Sequence, residues 1–153
     1  YFCGSEKGRA SFLDKIAIQL DKLNILYKFD VYSKTKTEKK YNFKLKFDDY
    51  KTYSEILKDT LEYSCILDIV QSGRNEDTGL SLRVYEATVY NKILITNNIN
   101  IFNYNLYDPR YMHYIKDESE IQIEWFNDKP NYGYDGQLSP KLFIKDIESK
   151  LKG

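Results

Sequence analysis

The chain has 153 residues and balances 23 Lys and Arg against 23 Asp and Glu, so its formal net charge is zero. That length suits one domain with a substantial core. A neutral balance supplies neither the basic field of a nucleic-acid binder nor the acidic tail of a solvating segment. No apolar run reaches the length of a membrane span, and no signal-peptide pattern opens the chain.

Tyr1 begins inside what reads as a strand, so the expectation is a domain cut from a longer polypeptide. YFC (Tyr1 to Cys3) is that strand and GSEKGR (Gly4 to Arg9) its loop. Two glycines permit a tight turn there. Lys7 and Arg9 bring positive charge beside a coming helix N-terminus, a combination that suits phosphate but equally describes a solvated turn. Phe12, Leu13, Ile16, Ala17, Leu20 and Leu23 then follow helical spacing, the pattern of an amphipathic helix laid on a sheet. Ile25 to Tyr32 reads as a second strand. Ser33 to Lys40 is a charged connector, most simply a solvated loop. Tyr41 to Phe47 alternates like an edge strand protected by lysines.

Asp48, Asp49 and Thr52 offer caps for a helix carrying Tyr53, Ile56, Leu57, Thr60 and Leu61. CILDIV (Cys65 to Val70) is apolar on both faces, as a central strand is. A polar loop runs from Gln71 to Thr78. A helical pattern opens at Gly79 and ends at a second apolar run, ILIT (Ile93 to Thr96). Strand, loop, helix and strand within about 30 residues make a βαβ unit. In such units ligands collect where strand carboxyl ends meet helix amino ends. The region from Gln71 to Glu86 is therefore the first place to look for a site. Asp68 is the one charged residue of the central strand, fit for a catalytic role or equally for a pairing or edge role.

Asn-rich turns follow, then a last strand over Tyr111 to Ile115 that contains His113. Nothing nearby in sequence orients His113 as a base, so it reads as an ordinary strand residue. Glu118 to Asn127 reads as a short helix with Ile121, Trp125 and Phe126 inward. Ser139 and Pro140 open a final helix. Cys3 and Cys65 read as small buried hydrophobes, with a disulfide open only if their strands are neighbours. One His and two Cys without clustered spacing give no metal site. The sum is an α/β domain with a mainly parallel sheet.

Arg83, Glu86 and Tyr90 share a helix face at i, i+3 and i+7. Arg83 and Glu86 can be a surface pair of small value. They also lie in the first turns after the central strand, where a carboxylate can accept from a ribose diol and an Arg can neutralise a diphosphate.

CGSEKGR, CILDIVQSGRNEDTGLSLRVYEATVYNKILITNN and NYNLYDPRYMHYI together resemble the C-terminal half of bacterial GT-B-type glycosyltransferases that build capsular and lipopolysaccharide chains. The resemblance spans almost the whole chain, and GLSLRVYEATVYNKILITNN is its most specific part. It implies a Rossmann-like domain that holds a nucleotide diphosphate-sugar donor, with the acceptor held by an N-terminal domain of the same polypeptide. It implies hexosyl transfer without a metal, in the cytoplasm, with the full-length protein able to sit peripherally at the inner face of the membrane. By position, Glu86 matches the carboxylate that binds the donor ribose. Lys7 and Arg9 match the diphosphate loop, and Arg83 reaches phosphate or sugar. Thr78 falls where the sugar hydroxyls are met, and Gly79, the glycine of the family's pattern, is counted with the donor-binding residues. Many relatives carry a second carboxylate at the position of Thr78, and an Arg at that of Ser5. The alternatives from other classes are a non-catalytic nucleotide-sugar-binding or interaction module in a polysaccharide-assembly complex, and a phosphoacceptor receiver domain. The receiver lacks support, because only Glu6 is acidic after the first strand.

Overall fold

A computed structural model describes residues 1–36, 39–47, 49–71, 79–136 and 138–139. Within them six strands and three α-helices follow in the order β1 (Phe2–Ser5), α1 (Ala10–Lys22), β2 (Phe29–Tyr32), β3 (Leu45–Lys46), α2 (Tyr53–Glu62), β4 (Cys65–Asp68), α3 (Leu82–Val89), β5 (Ile93–Thr96) and β6 (Met112–Tyr114). Every strand pairing described is parallel, in two sheets ordered β1-β2-β3 and β4-β5-β6. Tyr1 stitches the two together. Its backbone nitrogen donates to the Cys65 carbonyl at 2.8 Å, and its carbonyl accepts from the Leu67 N–H at 2.9 Å. Those two bonds straddle Ile66 as a parallel ladder does. The strands thus run β3-β2-β1-β4-β5-β6, and the winding reverses between β1 and β4. This is the topology of a Rossmann-like α/β domain, with its switch point at the carboxyl ends of β1 and β4.

Alternation along the strands sorts the core into two faces. Phe2, Val31, Leu67, Ile93 and Ile95 pack with Leu13, Ile16, Ala17 and Leu20 of α1 on one side. On the other, Ile66, Leu94 and Met112 meet Val84 and Ala87 of α3, while Tyr1, Cys3 and Tyr32 lie under Ile56 of α2. Ile93, Leu94 and Ile95 are fully buried; each such side chain contributes about 1.5–3 kcal/mol of transfer free energy. β4 and β5 are adjacent parallel strands, as their apolar runs imply. Cys3 and Cys65 are free and buried, and they belong to clusters on opposite faces of the sheet, so neighbouring strands do not make them a disulfide.

Local chemistry sets the helix ends. α2 starts with a capping box: the Thr52 hydroxyl accepts from Glu55 N–H while the Glu55 carboxylate accepts from Thr52 N–H. α1 ends with Asn24 at φ 56, with Ile25 N–H bonded to Leu20 O and Asn24 N–H to Asp21 O. α3 repeats the arrangement with Asn91 at φ 50, Lys92 N–H on Ala87 O and Asn91 N–H on Thr88 O. Both are Schellman stops with Asn in the left-handed position usually given to Gly.

Several expected boundaries move. β2 begins at Phe29, not Ile25, because Ile25 is spent on closing α1. β3 is two residues long and sits at the sheet edge. α3 begins at Leu82, not Gly79, with Ser81 as its cap. Residues 118–127 form two 3-10 turns, Glu118–Glu120 and Ile123–Asn127, rather than one α-helix. Asp117 and Glu120 bind the backbone N–H groups of Ser119 and Lys116, which diverts the chain from an α-turn. The helix expected from Pro140 and most of the Gln71–Thr78 loop lie outside the described residues.

Candidate functional site

The loop after β1 turns sharply. Glu6 N–H donates to Tyr32 O at 2.7 Å and Arg9 N–H to Glu6 O at 2.8 Å. Between them Lys7 and Gly8 take φ 39 and φ 76, both left-handed. Gly8 adopts that conformation freely, whereas Lys7 stores about 1–2 kcal/mol of local strain, as residues at binding loops often do. α1 follows with no side-chain cap and no acid in its first turn, so its positive end faces the loop unneutralised.

A cleft of about 280 Å³ opens at the carboxyl ends of β1 and β4, lined among others by Lys7, Arg9, Asp68, Gly79, Ser81 and Arg83. The Arg9 guanidinium donates to Ile69 O and lies 5.7 Å from the centre of the Phe2 ring. The Arg83 guanidinium reaches from α3 to the same ring, at 5.5 Å, and passes over Gly4, where a Cβ would stand 3.5 Å from its Nη2. Two guanidinium groups thus come together over the Phe2 ring from residues about 75 positions apart in sequence, and Lys7 lines the same cleft.

Polar groups at the ends of β4 and β5 frame this cleft. The Ser81 hydroxyl donates to Asp68 Oδ1 at 2.7 Å, and the Thr96 hydroxyl donates to Asp68 O at 2.8 Å. Asn97 clamps Val70 from both sides, accepting from its N–H at 2.7 Å and donating to its carbonyl at 3.2 Å. Asn98 donates to Gly79 O at 3.3 Å. The two asparagines therefore hold both described ends of the loop between β4 and α3. In the sequence they read as turn residues; their place at the carboxyl end of a central strand is the available signal. Asp68 is a framing carboxylate bound to Ser81 and Thr96.

Glu86 lies one turn beyond Arg83 on α3 and is 7% exposed. Its Oε1 accepts from the Tyr53 hydroxyl, at the start of α2, over 3.1 Å. Burial pushes the Glu86 carboxyl above the usual range, partly countered by Tyr53 and by the charge of Arg83. Arg83 and Glu86 form no ion pair, so the surface-pair reading does not describe them. Glu86 also stands apart from the lining shared by Lys7, Arg9 and Arg83. Gly79 is exposed, with open space where a Cβ would be. Thr78 lies outside the described residues.

A second cleft of about 280 Å³ sits over the carboxyl ends of β1 and β2, lined among others by Ser5, Lys7, Tyr32, Ser33, Lys34 and Tyr50. The rings of Tyr32 and Tyr50 stack at 4.9 Å, and burial lifts the Tyr32 phenol to about 12. Lys7 lines both clefts.

An ionic network fixes the start of α2 against the sheet. Lys51 donates to Asp30 Oδ2 at 2.6 Å and also to Asp59. Lys46 pairs with Asp30 at 2.5 Å and Lys28 with Asp59 at 2.8 Å, while the Tyr1 hydroxyl contacts both carboxylates at 3.2 Å. Burial pushes both carboxyls up, but the ammonium groups outweigh it, holding Asp30 below its ordinary value and Asp59 at about 2. No pattern in the sequence announced this network, because its members come from four separate segments.

His113 is on β6, stacked flat on Trp125 at 4.0 Å, and burial lowers its pKa. Its Nε2 is buried with no partner among the described residues. Among those residues no group of three or more His, Cys, Asp or Glu is placed to hold a metal ion, and no helix is long and apolar enough to cross a membrane. Comparison with protein-family models, curated proteins and solved structures found no match.

Proposed function

We propose that this chain is the donor-binding half of a GT-B-type glycosyltransferase in bacterial surface-polysaccharide synthesis. The observation that carries the reading is the gathering of Lys7, Arg9 and Arg83 around one cleft at the carboxyl ends of β1 and β4, with the buried carboxylate of Glu86 one helical turn away. Lys and Arg are donor-only groups and suit diphosphate oxygens; a carboxylate is acceptor-only and suits the two hydroxyls of a ribose. The tyrosine-lined cleft beside Lys7 offers an aromatic face to a base, while Gly79 and Ser81 border the side where the sugar would lie.

In the transfer, an acceptor hydroxyl brought by an N-terminal domain attacks the anomeric carbon. The new carbon–oxygen bond forms as the sugar–phosphate bond breaks; the leaving diphosphate keeps the electron pair, and the proton lost by the acceptor hydroxyl passes to that diphosphate or to water. Lys7, Arg9 and Arg83 stabilise that charge, so the reaction requires no metal of the protein's own. Transfer needs donor and acceptor held together, so this chain alone binds nucleotide without transferring sugar. The full-length protein would act at the inner face of the membrane, where such acceptors are assembled.

The test has two steps. The chain and Lys7→Ala are titrated calorimetrically with uridine, guanosine and their diphosphates, and the full-length protein is then assayed for donor turnover. Lys7→Ala should weaken diphosphate binding about ten- to a hundredfold, spare the nucleosides, and lose its effect at high salt. Absence of diphosphate binding to the chain would refute the proposal. Binding without turnover by the full-length protein would select a non-catalytic nucleotide-sugar module instead.

A further inference from the structure

We infer that Tyr53 belongs to the same site, as the positioning residue that presents the Glu86 carboxylate to a diol. The inference rests on the reading above and adds a residue from a different helix. Tyr53 is the first residue of α2, and its hydroxyl crosses to α3 to donate to Glu86 Oε1 at 3.1 Å. An ionised carboxylate has about four acceptor positions. Tyr53 occupies one of them on Oε1, which fixes the plane of the group and leaves positions for two further donors.

Two features separate this from a helix-packing contact. Tyr53 is 53% exposed, so its ring adds little to the core. The start of α2 is already secured without it, by the Thr52–Glu55 capping box and by Lys51 bridging Asp30 and Asp59. A phenol held on so rigid a base can orient its acceptor closely. Tyr50, three residues earlier, lines the aromatic cleft beside Lys7. The segment from Tyr50 to Tyr53 thus reaches both the aromatic cleft and Glu86.

The bond also bears on charge. Among the described residues the groups facing Glu86 are Tyr53 from α2 and Arg83 from α3, and Tyr90 in turn faces Tyr53. Burial raises the Glu86 carboxyl, and the Tyr53 hydroxyl works against that rise. The ionised carboxylate is the stronger acceptor for the two ribose hydroxyls, so binding weakens as pH falls through the Glu86 pKa. Removing the Tyr53 hydroxyl raises that pKa further, and the loss then begins at a higher pH.

The experiment titrates the chain, Tyr53→Phe, Glu86→Gln and the double variant with UDP, GDP and CDP from pH 5 to 8, carrying forward the tightest ligand. Tyr53→Phe should bind about fivefold more weakly at pH 7 and show an upward-shifted pH midpoint. Its thermal unfolding should match the parent. Glu86→Gln should remove that pH step, and the double variant should be no weaker than Glu86→Gln alone. Parental affinity and midpoint in Tyr53→Phe, or losses that multiply in the double variant, would overturn this inference alone, provided that Glu86→Gln weakens binding. Parental binding by Glu86→Gln would overturn the ribose reading and this inference with it.

Discussion

Replacing Lys51 with methionine keeps an unbranched apolar stem and removes the ammonium shared by Asp30 and Asp59. Both carboxylates are shielded: their side chains are 2% and 12% exposed, and that of Lys51 is 18% exposed. Removing one partner of a buried ion pair costs about 3–5 kcal/mol. Here Lys46 still serves Asp30 and Lys28 still serves Asp59, so about 2–3 kcal/mol is expected. The same network should appear as acid sensitivity. Asp59 is held at about 2 against an ordinary 3.8, a displacement equivalent to about 2 kcal/mol. A depressed carboxylate stabilises the fold above its unfolded pKa, and that contribution drains away as pH falls from about 5 through 2. Asp30 is displaced the same way. Lys51 is raised by those carboxylates after burial has worked against it. Its contribution is present below its ordinary value of 10.5 and is lost at more alkaline pH, but it reflects the same contacts and is not added. The assay is urea unfolding, followed by far-UV circular dichroism, of the parent, Lys51→Met and Asp59→Asn at pH 7, 4 and 2.5. Lys51→Met should lose about 2–3 kcal/mol at pH 7, and Asp59→Asn should show a flatter acid slope than the parent. A loss under about 0.5 kcal/mol in Lys51→Met, or parallel acid slopes in parent and Asp59→Asn, would refute the reasoning.

Other expectations concern the frame. Thr52→Ala breaks the capping box of α2; it should cost about 1 kcal/mol and lower the melting temperature by about 2–4 °C in differential scanning calorimetry. Asn98 is 3% exposed and bonds both Gly79 O and Asn100 N–H. Asn98→Ala should therefore cost about 1–3 kcal/mol in urea unfolding, and a loss within error of zero would count against the clamp. Cys3 and Cys65 are buried thiols, with burial lifting Cys65 to about 11. Both should resist a thiol reagent at pH 8 until urea is added, and intact mass should show no disulfide; rapid labelling of the folded chain would contradict the packing.

The parts of the fold legible in the sequence are those written locally. CILDIV and ILIT are apolar on successive residues, which only a strand covered on both faces tolerates, and the helix between them has the right length for a crossover. Thr52 followed by Glu55 spells a capping box. The rest depends on contacts between distant segments. Tyr1 looks like any strand residue, yet its two backbone bonds join the halves of the sheet. Glu86 reads as the partner of Arg83 three residues away, but burial and a tyrosine 33 positions earlier define its surroundings. Asp30 sits in FDVY with nothing nearby to mark it, because Lys46 reaches it from the neighbouring strand β3 and Lys51 from the segment after that strand. The short 3-10 turns after Lys116 follow from side chains competing for backbone N–H groups, a contest that periodicity does not register.

The claim at the centre of this account is that Glu86 is a ribose-binding carboxylate. Its most direct measurement is calorimetric titration of the parent chain and Glu86→Gln with a nucleoside, its monophosphate and its diphosphate at pH 7. All three ligands carry the ribose, so the substitution should weaken each by a similar factor, about ten- to a hundredfold for a desolvated charge-assisted contact. Equal binding of every ligand by Glu86→Gln and the parent would contradict it.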